Sequence, residues 1–131
     1  MPLQSRHLMP DGLRYSINVI RRHPRVNSVT VRKQDFYHAI IDIDRKIPYS
    51  DLRIYVAGIY ILTVSDVCEI VDNYPDVNGV VVISNWDHYT NQAKKEARIN
   101  QIGVFTLEEF LEALNYRGEE FLDCGIADKI E

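Results

Sequence analysis

Cysteine is scarce in this chain, which holds only two among 131 residues. Cys68 and Cys124 are far apart in sequence and form no C-x-x-C pair, so the chain lacks both a disulfide framework and the spacing of a zinc site. Because Cys68 lies within an apolar helical pattern, we expect its thiol to be buried.

Long hydrophobic runs are also missing from the sequence. No run approaches the roughly 20 apolar residues that a membrane-spanning helix needs, and residues 1–7 lack the apolar core of a signal peptide. Apolar residues make up 46% of the chain and charged residues 26%, which is ordinary for a globular protein. We therefore expect one domain over residues 1–131, with 117–131 as a peripheral tail, a cytoplasmic location and no membrane partner.

The common nucleotide-binding and hydrolase signatures are absent from the sequence as well. It contains no P-loop, no G-x-G-x-x-G and no G-x-S-x-G. Ser84, Asp87 and His88 lie too close together in one segment to form a catalytic triad by themselves. The sequence therefore gives no support for a P-loop NTPase, a dinucleotide-dependent enzyme or a serine hydrolase.

Positive charge is in deficit overall but concentrated in the first half of the chain. The net charge is −4, yet residues 1–53 hold ten basic and five acidic side chains, and the remainder carries −9. A basic half can face phosphate locally, although it also suits head-to-tail self-association or an acidic protein partner. Cations at the end of the first predicted helix complement its dipole in any case. The candidate nucleic-acid contacts are Arg21, Arg22, Arg25, Arg32 and Lys33.

The most informative stretch that is present runs from Gly79 to Asn115. An apolar, β-branched run at 80–83 predicts a strand buried on both faces. Thr90 is the predicted N-cap of a helix that presents small alanine side chains to the core. A short strand at 104–105 follows, and Thr106 with Glu109 three residues later predicts the start of a helix over 107–114. Strand, helix and strand in this order predict a βαβ unit and a partly parallel sheet.

The first half of the chain supplies the remaining predicted elements. Apolar residues at helical spacing predict a helix that ends before Pro24. Strands are predicted around 29–31, over 36–44 and over 52–62, the last interrupted by Gly58. Thr63 and Asp66 predict the start of a further helix, which ends near residue 73. The order of elements is helix, three strands, helix, strand, helix, strand and helix.

The stretch 79–115 resembles the C-terminal half of the restriction-endonuclease-like, or PD-(D/E)xK, superfamily in its Mrr-type branch. The resemblance implies an α/β fold with a three-layer core, in which a central mixed sheet of about five strands is flanked by helices. A generic Rossmann-like βαβ segment is the alternative. The residues that carry the resemblance are Ser84, Asn85, Thr90, Ala93-Lys94-Lys95, Ala97, Gly103, Leu107, Phe110, Leu111 and Leu114.

The resemblance also implies where catalytic residues should lie. In that superfamily an acid on the second strand and an (E/D/Q)-x-K on the third hold Mg²⁺ or Mn²⁺ for hydrolysis of a phosphodiester. Asp42 and Asp44 lie on the second predicted strand, but Val56-Ala57-Gly58 stands where the (E/D/Q)-x-K is expected. The catalytic motif is therefore degenerate, and no cofactor is expected unless the protein is an active nuclease.

Two other arrangements of acidic residues are open. Asp35 and Asp44-Arg45-Lys46 satisfy a loose D-x8-D-x-K pattern, yet a continuous strand would hold its two halves roughly 30 Å apart. His38, Asp42 and Asp44 share one strand face and form a candidate metal site, or else the acids pair with nearby arginines.

A polar segment follows the buried strand at 80–83, where open α/β sheets often bind ligands. Its candidate ligand residues are Asn85, Trp86, His88 and Tyr89. The aromatic rings suit stacking on a base or on a partner's side chain, and their alternative role is to cover the hydrophobic core.

Three classes of function follow from these patterns. The first is a catalytically degenerate nuclease-fold module that binds nucleic acid or assembles with a nucleic-acid-processing complex, within a larger complex or as a homodimer. The second is an active Mg²⁺- or Mn²⁺-dependent nuclease with a site relocated to His38, Asp42 and Asp44. The third is an accessory factor in a phage, defence or regulatory system that binds a protein partner and not nucleic acid.

Overall fold

The computed structural model describes residues 11–35, 37–59, 61–83 and 89–125. In this part of the chain, no helix is long and apolar enough to cross a membrane. The elements in chain order are α1 (Asp11–Arg21), β1 (Val26–Gln34), β2 (His38–Arg45), β3 (Leu52–Ala57), α2 (Val64–Asn73), β4 (Gly79–Val82), α3 (Asn91–Ile99), β5 (Gly103–Thr106), α4 (Leu107–Ala113) and α5 (Gly118–Leu122).

The five strands form one mixed sheet in the order β1-β2-β3-β4-β5. The first three strands are antiparallel neighbours, whereas β3, β4 and β5 run parallel. Helices α2 and α3 make the two crossovers that parallel neighbours require. The predicted α/β fold with a mixed sheet of about five strands flanked by helices is confirmed, and so is the βαβ unit.

Each face of the sheet has its own hydrophobic core. On one face, side chains of α1, α4 and α5 pack with alternate strand residues such as Ile41, Ile54 and Phe105. On the other face, side chains of α2 and α3 pack with residues such as Val80 and Val104. Strand β4 is buried at all four positions, as the run of β-branched residues predicts.

Threonine side chains start three of the helices, as the sequence predicts. Thr63 and Thr106 each form a reciprocal capping box, with Asp66 and Glu109 respectively. Thr90 accepts a hydrogen bond from the backbone N–H of residue 93 and caps α3. These caps fix where α2, α3 and α4 begin.

Some local expectations are corrected by the structure. The thiol of Cys68 is exposed, because the buried face of α2 is set by Val67 and Ile70, and the next position along a helix points elsewhere. The strand predicted over 52–62 ends at Ala57. In the segment 117–131, α5 buries Phe121 in the core beside α4.

A buried lysine closes one edge of the sheet. Gly103 donates its N–H to the carbonyl of residue 78, so the next carbonyl along β5, that of Val104, faces the free edge. The ammonium of Lys94 donates to this carbonyl and, at 3.0 Å, to the carbonyl of Cys124. Lys94 is 4% exposed, and it therefore ties α3, the edge strand and the segment after α5 together.

Replacing Lys94 with methionine is expected to lower the free energy of unfolding by about 1–3 kcal/mol, because buried carbonyls lose their donor while the apolar stem is kept. Lys95→Met is the matched control, since Lys95 is the exposed neighbour, and it should change stability by less than about 0.5 kcal/mol. Urea denaturation measures both. Equal effects of the two substitutions would contradict this role for Lys94.

Candidate functional site

Three arginine side chains converge on one tyrosine ring beside the loop between β2 and β3. The guanidinium carbons of Arg25, Arg45 and Arg117 lie 5.0, 5.2 and 5.9 Å from the centroid of the Tyr49 ring. We call these four residues the Tyr49 cluster. Arginine is attracted to an aromatic face electrostatically, so the ring holds together three side chains of like charge.

Different parts of the fold position the members of the Tyr49 cluster. Arg25 precedes β1, and its carbonyl accepts a hydrogen bond of 2.8 Å from the N–H of Lys46. The N–H of Tyr49 donates to the carbonyl of Lys46 at 2.9 Å, which closes the turn after β2. Arg117 immediately precedes α5, and its guanidinium donates to the carbonyl of Pro48 at 3.3 Å.

Arg45 is the buried member of the cluster and is held by backbone carbonyls. It is 3% exposed, and burial lowers the pKa of its guanidinium. Its Nε donates to the carbonyl of Ser50 at 2.7 Å, and its Nη1 donates to those of Leu114 and Tyr116 at 3.0 and 2.9 Å. Carbonyls at the end of α4 carry partial negative charge, so they stabilise a cation that forms no ion pair with a carboxylate among the described residues.

Arg25, Arg117 and the adjacent Lys46 are exposed to solvent. Among the described residues, none of these three forms an ion pair, whereas Arg14, Arg32, Arg53 and Arg98 all do. Burial lowers the pKa of the His23 imidazole, and the positive charges of Arg25 and Arg45 lower it further. The cluster is thus a surface of concentrated positive charge that attracts an anion.

The structure separates the five arginine and lysine residues that the sequence offers as phosphate contacts. Arg25 joins the Tyr49 cluster. Arg21 donates to the carbonyl of residue 29 and to the side chain of residue 18, so it holds α1 against β1. Arg32 faces Asp42 at 3.4 Å. Arg22 and Lys33 are exposed, and neither forms an ion pair within the described ranges.

Lys46 and Arg117 were missed by sequence reasoning. Lys46 belongs to the basic half, but only the hairpin turn shows that it lies beside Arg25. Arg117 lies in the acidic half and reaches the cluster through the packing of α4 and α5 against the sheet. No sequence signal identified it, because its neighbours in the cluster are distant in the chain.

Asp42 belongs to a network of ion pairs on the sheet face that α2 and α3 cover in part. Both of its carboxylate oxygens accept from Arg53, at 2.7 and 3.1 Å, and this hydrogen bonding holds the pKa of Asp42 below its ordinary value. Arg53 also contacts Asp76 at 2.5 Å. The network lines an open concavity of about 350 Å³, together with Ser28, Thr30, Ile43, Asp44, Asp51, Leu52 and Asn78.

The structure does not bring His38, Asp42 and Asp44 together as one group of metal ligands. Arg53 occupies both oxygens of Asp42, and the described residues contain no group of three or more histidine, cysteine or acidic side chains placed to hold a metal. Strand register puts Asp42 opposite Arg53, and His38 opposite Ala57. The acids are therefore at the other end of β2 from the place of the (E/D/Q)-x-K.

Gly58, which the resemblance places at the lysine position of that motif, has no space for a side chain. Its N–H donates to the carbonyl of Tyr37 at 2.8 Å, and a Cβ at Gly58 would lie 2.6 Å from the same oxygen. Val56, at the acid position, is fully buried in the hydrophobic core. Neither position of the motif can hold a catalytic side chain without a shift of the backbone or the core.

Gly58→Ala is expected to lower the free energy of unfolding by about 1–3 kcal/mol, because the added methyl group collides with backbone. Gly12→Ala in α1 is the matched control, since a Cβ at Gly12 would meet no described atom within 4 Å apart from its chain neighbours and the backbone of its own helix. There the substitution should stabilise the helix, by roughly 0.5–1 kcal/mol. Thermal unfolding of both variants measures this, and a neutral Gly58→Ala would contradict the close approach.

Asp35 and His38 lie at the turn between β1 and β2. The Asp35 carboxylate accepts from the N–H groups of residues 37 and 38 at 2.8 Å each. It therefore shapes the turn, and the whole of β2 separates it from Asp44. The ring of His38 packs beside that of Tyr55, with centroids 5.5 Å apart, and among the described residues its buried Nδ1 has no hydrogen-bond partner.

Of the candidate ligand residues after β4, Asn85, Trp86 and His88 lie outside the described residues. Tyr89 is described, and its hydroxyl donates to the Glu109 carboxylate at 2.8 Å. The Lys94 ammonium lies 5.1 Å from the Tyr89 ring centroid. Tyr89 thus packs against α3 and α4.

Comparisons with known proteins do not add to this geometry. No protein-family model, characterised protein or solved structure matches the chain. The resemblance to the PD-(D/E)xK superfamily stays a prediction.

Proposed function

We propose that this protein is a catalytically degenerate nuclease-fold module that binds nucleic acid without cleaving it. Arg25, Lys46 and Arg117 would contact the phosphates. The observation that carries the proposal is the convergence of three guanidinium groups on Tyr49, with no carboxylate paired to any of them among the described residues. Such a surface is stabilised when an anion binds to it.

The chemistry of the exposed groups favours phosphate as that anion. A guanidinium presents a planar fork of donors that matches two oxygens of a phosphate. Tyr49 restricts the side chains of Arg25 and Arg117, so less conformational freedom is lost when they bind. The surface is open, which suits an extended backbone better than a small phosphate ester that requires an enclosing pocket.

The absence of hydrolysis is proposed from the state of the catalytic positions. Val56 and Gly58 offer neither a carboxylate nor an amine, and Asp42 is held by Arg53. The proposed phosphate-binding groups also lie at the end of β2 that leads into β3, whereas the superfamily's motif would lie near the other end of β2. This separation favours a binding role over a relocated active site.

To test the proposal, the protein is incubated with single- and double-stranded DNA and RNA, with and without Mg²⁺ or Mn²⁺. Retention of the nucleic acid by the protein and cleavage of the nucleic acid are both measured. We expect retention at low salt and intact nucleic acid. Metal-dependent cleavage that is lost in Asp42→Asn or Asp44→Asn would favour the active nuclease. If no nucleic acid is retained even at low salt, the accessory factor that binds a protein partner becomes the leading function.

A further inference from the structure

Ile47 is the most exposed large apolar side chain in the described part of the protein. It is 94% exposed, and it lies at the tip of the turn between β2 and β3. Single exposed apolar residues are common on protein surfaces, so exposure alone assigns no role. The position of Ile47 relative to the Tyr49 cluster is what distinguishes it.

The members of the Tyr49 cluster fix the turn on both sides of Ile47. On one side, the N–H of Lys46 is bonded to the carbonyl of Arg25. On the other, the carbonyl of Pro48 accepts from the guanidinium of Arg117 at 3.3 Å. The apolar tip is therefore held in place by the same residues that are proposed to contact phosphate, and its side chain is exposed to solvent.

We propose that Ile47 inserts between neighbouring bases when the flanking cations bind the backbone. This inference rests on the proposed function, since it requires nucleic acid at the Tyr49 cluster. Proteins that deform nucleic acid use isolated isoleucine, leucine or proline side chains as wedges, with arginine and lysine on the adjacent phosphates. Insertion moves Ile47 out of water, which offsets part of the lost base stacking.

A nucleic acid explains this surface better than a lipid bilayer does. Glu119 and Glu120 are exposed and follow Arg117 closely in sequence. A broad anionic membrane surface that reached Ile47 would also approach these carboxylates, whereas a narrow strand can contact the cations alone. One isoleucine and one proline also bury little apolar area in a membrane.

The test uses short duplexes and single strands that carry 2-aminopurine at successive positions, since this base brightens when it loses its stacking partners. At saturating protein, we expect a rise in fluorescence at one or a few positions. Ile47→Ala should lose this rise while it retains binding and the salt dependence of binding. Ile99→Ala is the matched control, because Ile99 is also exposed, at 74%, and lies at the end of α3.

The possible results separate the two proposals. If the parent binds and Ile47→Ala gives the same fluorescence rise, or the parent gives none, insertion is wrong while phosphate binding stands. If the parent binds no nucleic acid at low salt, both proposals are wrong. Ile47-dependent binding to anionic vesicles, with no fluorescence rise on nucleic acid, would replace insertion into bases by insertion into lipid. Circular dichroism checks that each variant is folded.

Discussion

Replacing Arg25 and Arg117 together with glutamine is expected to weaken binding to a DNA oligonucleotide by roughly a hundredfold at low salt. A hydrogen bond to a charged group contributes about 1.5–3 kcal/mol, and each 1.4 kcal/mol is about tenfold in affinity. Glutamine keeps a polar side chain of similar reach but removes the charge. Because both arginines are exposed, the fold should be little affected. Fluorescence anisotropy of a labelled oligonucleotide measures the affinity.

The control for this double variant removes the same charge elsewhere. Arg14→Gln with Lys95→Gln changes two exposed cations, one on α1 and one on α3, and gives the same net charge. We expect this variant to bind within about threefold of the parent, since distant surface charges are screened. If both double variants lose affinity equally, binding depends on overall charge and not on the Tyr49 cluster.

Arg45→Met is expected to lower the free energy of unfolding by about 3 kcal/mol or more, because three carbonyls lose their donor at a cost of roughly 1–3 kcal/mol each. Methionine keeps much of the apolar contact with Phe121, whose ring centroid lies 5.7 Å from the Arg45 guanidinium. However, the carbonyls of Ser50, Leu114 and Tyr116 lose their donor while they remain near the core. Urea denaturation at neutral pH measures the loss.

Arg98→Met is the matched control for Arg45→Met. Arg98 contacts Asp123 at 2.6 Å, in a pair that is partly exposed to solvent, and such a pair contributes at most about 1 kcal/mol. A stability loss for Arg45→Met no larger than for Arg98→Met would show that the carbonyls find water or another donor. In that case Arg45 would not be needed to fix the Tyr49 cluster.

Local chemistry was sufficient to predict most of the fold. The β-branched run at 80–83 predicted a fully buried strand, and threonine with an acid three residues later predicted two helix starts. The end of β3 was less predictable, because the apolar sequence continues to Leu62. Gly58 donates to the carbonyl of Tyr37 where β3 ends, and that contact depends on a distant turn.

The candidate site was only partly predictable, since charge pattern does not specify which cations meet. The basic half pointed to Arg25, but it gave equal weight to Arg21 and Arg32, which the fold uses in internal contacts. Burial of Lys94 was missed for a similar reason. The small residues before and after it predicted a packed helix face, but the open carbonyl at the edge of β5 appears only once the sheet is assembled.

The measurement that tests the central claim most directly is the salt dependence of oligonucleotide binding by the parent and by the Arg25→Gln, Arg117→Gln variant. Each phosphate neutralised on duplex DNA contributes roughly 0.9 to the log–log slope. Contacts from Arg25, Lys46 and Arg117 therefore predict a slope of about −2.7 or steeper for the parent, reduced by about two in the variant. No binding by the parent at low salt, or the same slope for both proteins, would contradict phosphate binding at the Tyr49 cluster.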